Sequence, residues 1–414
     1  MVANSGKSCL GAVKLIGDFT IQIGTKFVFG ANTVRSVGEE LANLGFSKVL
    51  VHYDGGGFVE NSGLLGTVLD SLSKAGVEYV ELGGVVPNPR LDLVYRGIEI
   101  SRHERVDAIL AIGGGSAIDS AKAIGIGAVD NGDVWDFFTG ERSPRGTLPV
   151  ASILTCPASG SESSQVAVVN NAADHKKLLV SNPVLRPTLA IMDPMVTMTL
   201  PVHQTACGLV DIFCHVCERY FNDDKDYGLL DRMSESVLRS IVVDGPCLIK
   251  DPKNYGLRSE TMWAATVAQN NSLGMGRKQD WSTHLIANEL SARYDVVHGE
   301  SISVIMPYWM LYVEESNPQR FARFGREVFR LPTETVDVGE LAKMSVGATA
   351  NLFKRLGMPT SIPELHINNL EIEPMLDAID FSAADGAIGS VMRLRRDDCR
   401  SIFEMALRGN DWGD

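Results

Sequence analysis

Four side chains with metal-binding chemistry lie in the second half of the sequence: Asp211, His215, His284 and His298. Asp211 and His215 are four residues apart on a predicted helix, so they share one face. His284 lies on a later predicted helix, and His298 follows 14 residues on, where the chain is expected to turn into another helix. One carboxylate and three imidazoles suit a divalent metal such as Fe²⁺ or Zn²⁺, which would polarise a carbonyl or an alcohol oxygen.

Taken singly, each histidine is more easily explained as an ordinary core or surface residue. Only the combination of all four residues with a nucleotide-binding loop favours a metal site. Cys214 and Cys217 form a C-x-x-C pair, but no second pair completes a zinc ribbon. The seven cysteines, Cys9 among them, are therefore interpreted as buried or inert thiols.

Three small-residue turns follow predicted strands in the first half. The turn Gly113-Gly114-Gly115-Ser116 precedes a predicted helix, so its N–H groups and the helix dipole could hold a pyrophosphate. Asp54 could accept hydrogen bonds from a ribose 2′-OH, and it would repel a 2′-phosphate. The segment Thr155 to Glu162 offers hydroxyl and amide donors around Ser159. Each of them could also be an ordinary turn.

Short apolar runs alternate with helical stretches in this first half. Continuous apolar strands between helices imply a parallel sheet that is covered on both faces. The helices are predicted at Ser62 to Lys74 and Ala117 to Ile124. The predicted strands are Lys48 to Tyr53, Val77 to Leu82, Asp107 to Ile112, Val150 to Leu154 and Leu189 to Met192.

Long amphipathic stretches replace the strands after about Pro194. We therefore predict an α/β dinucleotide-binding domain over 1–194, an all-helical metal-binding domain over 195–414, and a ligand cleft between them. The predicted helices are Val202 to Tyr220, Asp231 to Val243, Arg258 to Ser272, Trp281 to Ala292 and Val338 to Leu356.

Bulk properties exclude several classes of protein. With 414 residues, the chain is too long for one ordinary core. A net charge of −13 argues against binding to nucleic acid or anionic membranes. We find no apolar stretch of transmembrane length and no signal peptide, which predicts a cytoplasmic protein. A homo-oligomer is expected from base rates.

The quoted residues resemble the iron-containing (group III) alcohol dehydrogenases, in their butanol-dehydrogenase and aldehyde-reductase branch. The similar segments are GGGSAIDSAK (113–122), CPASGSESS (156–164), DPMVTMTLPVHQTACGLVDIFCHVCE (193–218) and DWSTHLIANELSARYDVVHGES (280–301). The resemblance implies a Rossmann-like domain, a helical domain and metal ligation by Asp211, His215, His284 and His298. It also implies that NAD(P) lies over 113–116, near Asp119, Thr155 and Ser159.

Two positions bear on cofactor and proton chemistry within this resemblance. NAD-preferring members have an Asp after the early strand where NADP-preferring members have Gly. Asp54 is that Asp in one register, and Gly56 takes the position in another. Because Glu60 replaces the lysines of NADPH-dependent relatives, an NADH preference is predicted. Most relatives also have a histidine four residues after the third ligand, but this chain has Asn288, whose amide can orient a substrate and cannot titrate.

The function predicted is therefore a metal-dependent alcohol dehydrogenase or aldehyde reductase, which moves a hydride between NAD(P)(H) and a small alcohol or aldehyde. Trp135, Phe137, Phe138 and Trp281 are candidates for an apolar pocket wall, or equally for core packing. A phosphate-substrate dehydrogenase or a lyase on the same fold would need several cations. Near the ligands only Arg277, Lys278 and Arg293 are candidates. A non-catalytic metal- or nucleotide-binding oligomer is a third possibility.

Overall fold

Alternating strands and helices form the first half of the protein in the computed structural model, which describes residues 17–174, 176–223, 228–332, 334, 336–381, 383 and 385–412. Cys9 lies outside these residues. The strands are β1 (Lys26–Phe29), β2 (Lys48–Asp54), β3 (Glu78–Val85), β4 (Ala108–Gly113), β5 (Val150–Leu154), β6 (Val166–Asn171), β7 (Lys176–Ser181) and β8 (Leu189–Met192). The helices between them are α1 (Val37–Asn43), α2 (Phe58–Asn61), α3 (Leu64–Lys74), α4 (Leu91–Glu104), α5 (Gly115–Ala128) and α6 (Trp135–Phe138).

Six of these strands form one parallel sheet in the order β1-β8-β5-β4-β2-β3. Strands β6 and β7 form a separate antiparallel hairpin. The sheet is buried on both faces, since Val49 and Val51 pack with α1 and α3, whereas Leu50 and Ile109 pack with α4 and α5. The helices that follow β2 and β4 thus lie on opposite faces. This divergence opens a crevice at the carboxyl ends of β2 and β4, where doubly wound folds bind nucleotides.

Helices alone make up the second half of the described chain. They are α7 (Val202–Tyr220), α8 (Leu229–Lys250), α9 (Tyr255–Gln269), α10 (Ser282–Tyr294), α11 (His298–Val313), α12 (Pro318–Phe329), α13 (Val338–Arg355), α14 (Ile372–Ala378) and α15 (Arg396–Arg408). Short 3-10 helices lie at Thr33–Ser36, Pro183–Leu185, Pro194–Thr199, Glu314–Ser316 and Ile362–Leu365. The predicted fold class, an α/β half with a parallel sheet followed by an all-α half, is confirmed.

Helix α7 runs through the centre of the helical half. Its apolar residues are buried from Ala206 to Tyr220, and they pack with α8, α9 and α11. The change from strands to helices falls between Met192 and Val202. The assignment of residues 1–194 and 195–414 to two separate domains stays a prediction. No helix in the described ranges is long and apolar enough to cross a bilayer.

Several element boundaries differ from the sequence predictions. Helix α3 begins at Leu64 and not at Ser62, because Gly63 adopts a left-handed conformation with φ 77°. Helix α5 begins at Gly115 and extends to Ala128. Helix α8 was predicted to end at Val243, but it continues through Pro246 to Lys250. Burial of Pro246 and Leu248 in the core outweighs the hydrogen bond that proline cannot donate.

Candidate metal centre and cofactor cleft

The four predicted ligands converge on one point. Asp211 and His215 are one turn apart on α7, His284 is in the first turn of α10, and His298 is the first residue of α11. The Oδ1 atom of Asp211 lies 3.5 Å from Nε2 of His215, 3.6 Å from Nε2 of His284 and 3.6 Å from Nε2 of His298. Residues separated by up to 87 positions in the sequence are thereby brought together around one carboxylate oxygen.

These separations fit a coordination shell better than a hydrogen-bond network. They exceed the roughly 2.7–3.2 Å of good hydrogen bonds. Donor atoms bonded at ~2.1 Å around a tetrahedral ion lie about 3.4 Å from one another. Within the described chain, Oδ1 of Asp211 and Nε2 of His284 are buried without a hydrogen-bond partner. Buried polar atoms are seldom left unpaired, so these donors fit a cation held between them.

Electrostatics keeps these donors ready to bind a cation. Burial lowers the pKa of His215 to about 3 and that of His298 also to about 3, so both rings are neutral at neutral pH. Burial alone would raise the pKa of Asp211, but the adjacent imidazoles of His215, His298 and His284 hold it well below its usual value. Burial would lower the pKa of His284 too, but its contacts with Cys214, Asp211 and Glu218 hold that pKa well above its usual value. The cluster therefore presents one carboxylate, two neutral imidazoles and a third ring that must release a proton when it binds a metal.

The cluster is closed on one side and open on the other. The side chains of Asp211, His215 and His284 are at most 9% exposed, whereas that of His298 is 32% exposed. On the closed side, the rings of His215 and His284 stack at 4.8 Å, and the indole of Trp281 meets both edge-on. Arg219 lies over that indole at 4.6 Å. Among the described residues, the side of His298 is therefore the open side for a ligand.

Asn288 lies one turn after His284 on α10 and is half-buried. Residues four apart on a helix lie on the same face, so its amide is on the side of α10 that carries His284. Among the described residues, Asn288 makes no hydrogen bond to the four donors, and its role stays a prediction.

The predicted cofactor loops lie together at the carboxyl ends of three neighbouring strands. Asp54 ends β2, Gly113 ends β4, and the segment from Thr155 follows β5. Thr155 N donates to Gly113 O at 3.0 Å. A Cβ on Gly115 would lie 2.3 Å from Oγ of Ser159, so the two loops touch. Gly114 and Ser116 are half-buried at the start of α5, whose N-terminus faces the crevice in the manner of an anion site.

Asp119 is engaged within the protein. Its carboxylate accepts hydrogen bonds from Ser161 Oγ and, at 3.0 Å, from Val168 N. Lys122, one turn further on α5, donates to Ser161 Oγ and to the carbonyls of Ser164 and Val166. These contacts anchor the loop after β5 to α5. A direct contact of Asp119 with a nicotinamide stays a prediction.

The cofactor loops and the metal donors share one cleft. A Cβ on Gly208, one turn before Asp211 on α7, would lie 2.5 Å from the carbonyl oxygen of Pro157. Asp211 also lies close enough to Cys156 to raise the pKa of that thiol, although burial is the larger cause. The loop after β5 therefore contacts the helix that carries the first two donors.

Asp54 accepts a hydrogen bond from Gly56 N at 3.2 Å, as a turn-forming residue would. Burial raises its pKa, and the charge of Glu60 raises it further. Asp54, at the end of β2, and Glu60, on α2, thus place two carboxylates close together, which is unfavourable for a 2′-phosphate.

Sequence reasoning missed two residues at the site. Lys177, on β7, lies near Asp211, Asp119 and Glu289; burial lowers its pKa to about 8, and these carboxylates oppose that shift. Glu218, on α7, hydrogen-bonds to His284. Lys177 had no sequence signal because its hairpin was not predicted. Glu218 lies three residues after His215 on the same helix, and that spacing could have suggested it.

The predicted pocket-wall aromatic residues divide into two groups. Phe137 and Phe138 are buried in the core beside the sheet, and Trp135 stacks on Phe138 at 5.5 Å. These three residues pack in the α/β half, which agrees with the core-packing alternative. A pocket-wall role for them stays a prediction. Trp281 lies at the metal cluster.

The three cations considered for a phosphate substrate have carboxylate partners. Arg277 pairs with buried Asp231 at 3.3 Å. Lys278 pairs with Asp223 at 2.8 Å, and Arg293 pairs with Glu371 at 2.7 Å. Each of these three charges has a carboxylate partner within the chain, which argues against their use in binding a phosphate substrate.

Family models match both halves of the chain. Residues 24–194 match "Iron-containing alcohol dehydrogenase", and residues 205–407 match "Fe-containing alcohol dehydrogenase family, C-terminal". A probable NADH-dependent butanol dehydrogenase 1 of Bacillus subtilis is 35% identical over 94% of this chain and 100% of its own length. The NADPH-dependent aldehyde reductase YqhD of Escherichia coli is 31% identical, with coverage of 94% and 100%.

Solved structures with a similar fold carry the same kinds of name. An NADH-dependent butanol dehydrogenase A from Thermotoga maritima superposes with a TM-score of 0.90 at 36% identity, and the alignment covers 95% of this chain and 99% of that one. A crystal structure of E. coli YqhD superposes with a TM-score of 0.88 at 30% identity, with coverage of 94% and 98%.

Proposed function

The chain belongs to the iron-containing alcohol dehydrogenase family and is a metal-dependent, NAD(P)-dependent alcohol dehydrogenase or aldehyde reductase; from this premise we propose its ligands, its cofactor preference and its substrate class. Asp211, His215, His284 and His298 hold one divalent metal. The observation that supports this assignment is the convergence of all four donors on one carboxylate oxygen, at 3.5–3.6 Å, beside the cofactor loops.

The reaction is the reversible conversion of an alcohol and NAD⁺ to an aldehyde, NADH and a proton. When bound, the metal supplies Lewis-acid polarisation of the substrate oxygen. The protein positions the nicotinamide through the loops after β4 and β5, and it excludes water with Trp281 and the stacked rings of His215 and His284. In oxidation the C–H bond of the carbinol carbon breaks and its hydride goes to C4 of the nicotinamide; in reduction the hydride goes from C4 to the carbonyl carbon of the aldehyde.

Asn288 orients the substrate or the cofactor ribose through its amide. An amide does not accept or release a proton near neutral pH, so Asn288 cannot carry the alcohol proton out of the site as a histidine would. Proton exchange then depends on water and on ribose hydroxyls along the open side of the cleft, beside His298.

NADH is the preferred cofactor in this proposal. The carboxylates of Asp54, at the end of β2, and of Glu60, on α2, would repel a 2′-phosphate, and Asp54 can accept hydrogen bonds from a 2′-OH. Relatives carry names of both kinds, NADH-dependent and NADPH-dependent, so the family alone leaves this choice open.

Fe²⁺ is the resident metal that we propose, with Zn²⁺ as the alternative that the same oxygen and nitrogen donors accept. Small primary alcohols and their aldehydes are the proposed substrates, as in the names of the butanol dehydrogenases. The protein is proposed to be a cytoplasmic homo-oligomer without nucleic-acid or membrane partners. The six cysteines of the described residues are free thiols, as expected in a reducing compartment.

The test is an activity and metal assay on one preparation. Protein purified without oxygen is analysed for metal content, stripped with a chelator, and reloaded with Fe²⁺ or Zn²⁺. Each form is mixed with butyraldehyde and with NADH or NADPH, and absorbance is followed. We expect stripping to lower kcat/KM roughly a thousandfold, because the metal supplies several kcal/mol, and we expect NADH to be used more efficiently.

Control variants identify the ligands. His215→Ala should behave as the stripped enzyme. His366→Ala, which changes the residue directly after the 3-10 helix Ile362–Leu365, should keep wild-type activity and metal content. Full activity of stripped protein, or unchanged metal content in His215→Ala, would contradict the assignment. A higher kcat/KM with NADPH would contradict the cofactor preference alone.

A further inference from the structure

Glu218 contacts the proposed metal ligand His284 at Nδ1, on the side of the ring opposite the metal site. It lies on α7, one turn after His215, and only 1% of it is exposed. Its Oε1 accepts hydrogen bonds from His284 Nδ1 at 2.9 Å and from His284 N at 3.0 Å. Its Oε2 accepts one from Trp281 N at 2.7 Å. One buried carboxylate therefore holds both the ring and the backbone of the residue that would bind the metal.

This contact fixes the tautomer of His284. A carboxylate only accepts hydrogen bonds, so Nδ1 must carry a proton. In the neutral ring that metal binding requires, the lone pair is then on Nε2. Nε2 is the atom that faces Asp211, at 3.6 Å, and it has no hydrogen-bond partner in the described chain. A carboxylate behind an imidazole in this way raises its basicity and orients it toward a metal.

The other two imidazoles lack this support. The Nδ1 atoms of His215 and His298 are buried without a partner in the part of the chain that the structure describes. Of the three rings, His284 alone is held by a side-chain acceptor on its far side among these residues. His284 is therefore the ring whose orientation is set before a metal arrives.

We propose that Glu218 is a positioning residue, which fixes the tautomer and the orientation of His284 so that this ring becomes the anchoring nitrogen ligand of the metal. The proposal rests on the proposed function, since it takes His284 as a ligand. It assigns Glu218 no contact with the substrate or the reacting atoms.

A simpler role must be distinguished from this one. Helix α10 begins at Ser282, and a carboxylate that accepts from N–H groups at its start stabilises the helix whatever the ring does. Asp280 provides the matched control. It is also a buried carboxylate at the start of α10, and it accepts from Ser282 N at 3.1 Å and from Val391 N at 2.8 Å. Its hydrogen-bond donors in the described residues are Ser282, Ser390 and Val391 and do not include His284.

The experiment measures Zn²⁺ affinity of the full-length, stripped protein by competition with a chromogenic chelator. It compares the wild type, Glu218→Gln, Asp280→Asn and His284→Ala, and it records the melting temperature of each metal-free form. Glu218→Gln should weaken Zn²⁺ binding about 10- to 100-fold, the usual loss when such a supporting carboxylate is removed. Asp280→Asn should lower the melting temperature and leave the Zn²⁺ affinity as in the wild type.

The outcomes separate the proposals. Equal affinity of Glu218→Gln and the wild type, with a loss in His284→Ala, would overturn the role of Glu218 and leave the metal site intact. Equal losses in Glu218→Gln and Asp280→Asn would also overturn it, because the helix start would then be responsible. Wild-type affinity in His284→Ala would refute the metal site itself. If Glu218→Gln does not fold, Glu218→Asp, which withdraws the carboxylate by one methylene, serves in the same comparison.

Discussion

Individual donors at this site combine properties that are rarely found together in a core. Asp211 keeps its charge although it is buried. His215 and His298 remain neutral because they are buried. Isolated buried charges are costly, and a bound cation would compensate this carboxylate directly. The same low-dielectric surroundings would strengthen any polarisation of a substrate oxygen.

At the residue scale, Asn288 allows a test of proton exchange. Asn288→His places a group with an unperturbed pKa near 6.5 one turn after His284. We expect kcat to acquire a new pH dependence between about pH 5.5 and 7.5, since the imidazole can then take up the alcohol proton. The measurement is the kcat–pH profile of Asn288→His and of Asn288→Gln. The glutamine variant is the control, since it keeps a neutral amide. Identical profiles for the histidine and the glutamine variants would exclude a relay at this position.

Elements determine where the cofactor can lie, because parallel strands bring their carboxyl ends to one edge of the sheet. The turn after β4 packs against the loop after β5 so closely that no side chain fits at Gly115. Helix α5 is further tied to this loop by Lys122 and Asp119. The shape of the cofactor site therefore depends on contacts between turns more than on any single glycine.

Gly115→Ala tests this packing at the scale of elements. The new Cβ would lie 2.3 Å from Ser159 Oγ and 2.9 Å from Ser159 Cβ, so the loop must move away from α5. We expect KM for NADH to rise roughly tenfold, because small displacements of positioning groups are costly, while Zn²⁺ affinity is retained. Gly66→Ala, on α3, is the control, since its Cβ would meet nothing within 4 Å. An unchanged KM in Gly115→Ala would show that the two loops do not constrain the cofactor.

His52 couples β2, β3 and α5 and makes stability depend on pH. Its Nδ1 donates to Leu82 O at 2.8 Å, its Nε2 accepts from Ser120 Oγ at 2.9 Å, and burial lowers its pKa to about 4. The unfolded chain takes up a proton near pH 6.5, but the folded chain does so only near pH 4. Stability should therefore fall as the pH falls through this window, by about 3 kcal/mol in total from this residue.

The check is the free energy of unfolding in urea at several pH values between 4 and 7.5. His52→Asn retains a donor for Leu82 O without a titrating ring. It should be less stable than the wild type at pH 7, and its stability should decrease less between pH 6.5 and 4. Parallel curves for the two proteins would contradict the neutral, buried state of His52.

At the scale of the whole molecule, the two halves are joined next to the site. Gly208 on α7 touches Pro157, and Gly160 faces Gln269 on α9. Thr266 Oγ1, also on α9, donates to Glu162 Oε1 at 2.5 Å in a fully buried position. The cofactor loop is thus anchored by the helical half as well as by its own sheet.

Thr266→Val tests the contact between Thr266 and Glu162 that connects the two halves. It removes the hydroxyl that Glu162 Oε1 accepts from, while Glu162 Oε2 already lacks a partner in the described residues. We expect unfolding to become easier by about 1–3 kcal/mol, the usual cost of leaving a buried acceptor unpaired. Thr261→Val on the same helix is the control, and differential scanning calorimetry is the measurement. Equal melting temperatures for wild type and Thr266→Val would mean that the contact contributes no stability.

The sequence alone determined the donor types, the glycine-rich turns and most of the elements near them. Strands such as β5 and β8 and helix α7 were predicted to the residue, because apolar runs and helical periodicity are local properties of the chain. The four donors could be named because a carboxylate and imidazoles have few other uses in combination.

Only the tertiary structure decided how these parts meet. The contact between Glu218 and His284 joins residues 66 positions apart, and Lys177 enters the cleft on a hairpin that sequence reasoning missed. Helix α8 continues through Pro246 because the core covers it. Local patterns predict which face of an element is apolar, but contacts between distant elements depend on side-chain packing across the whole molecule, which no short segment encodes.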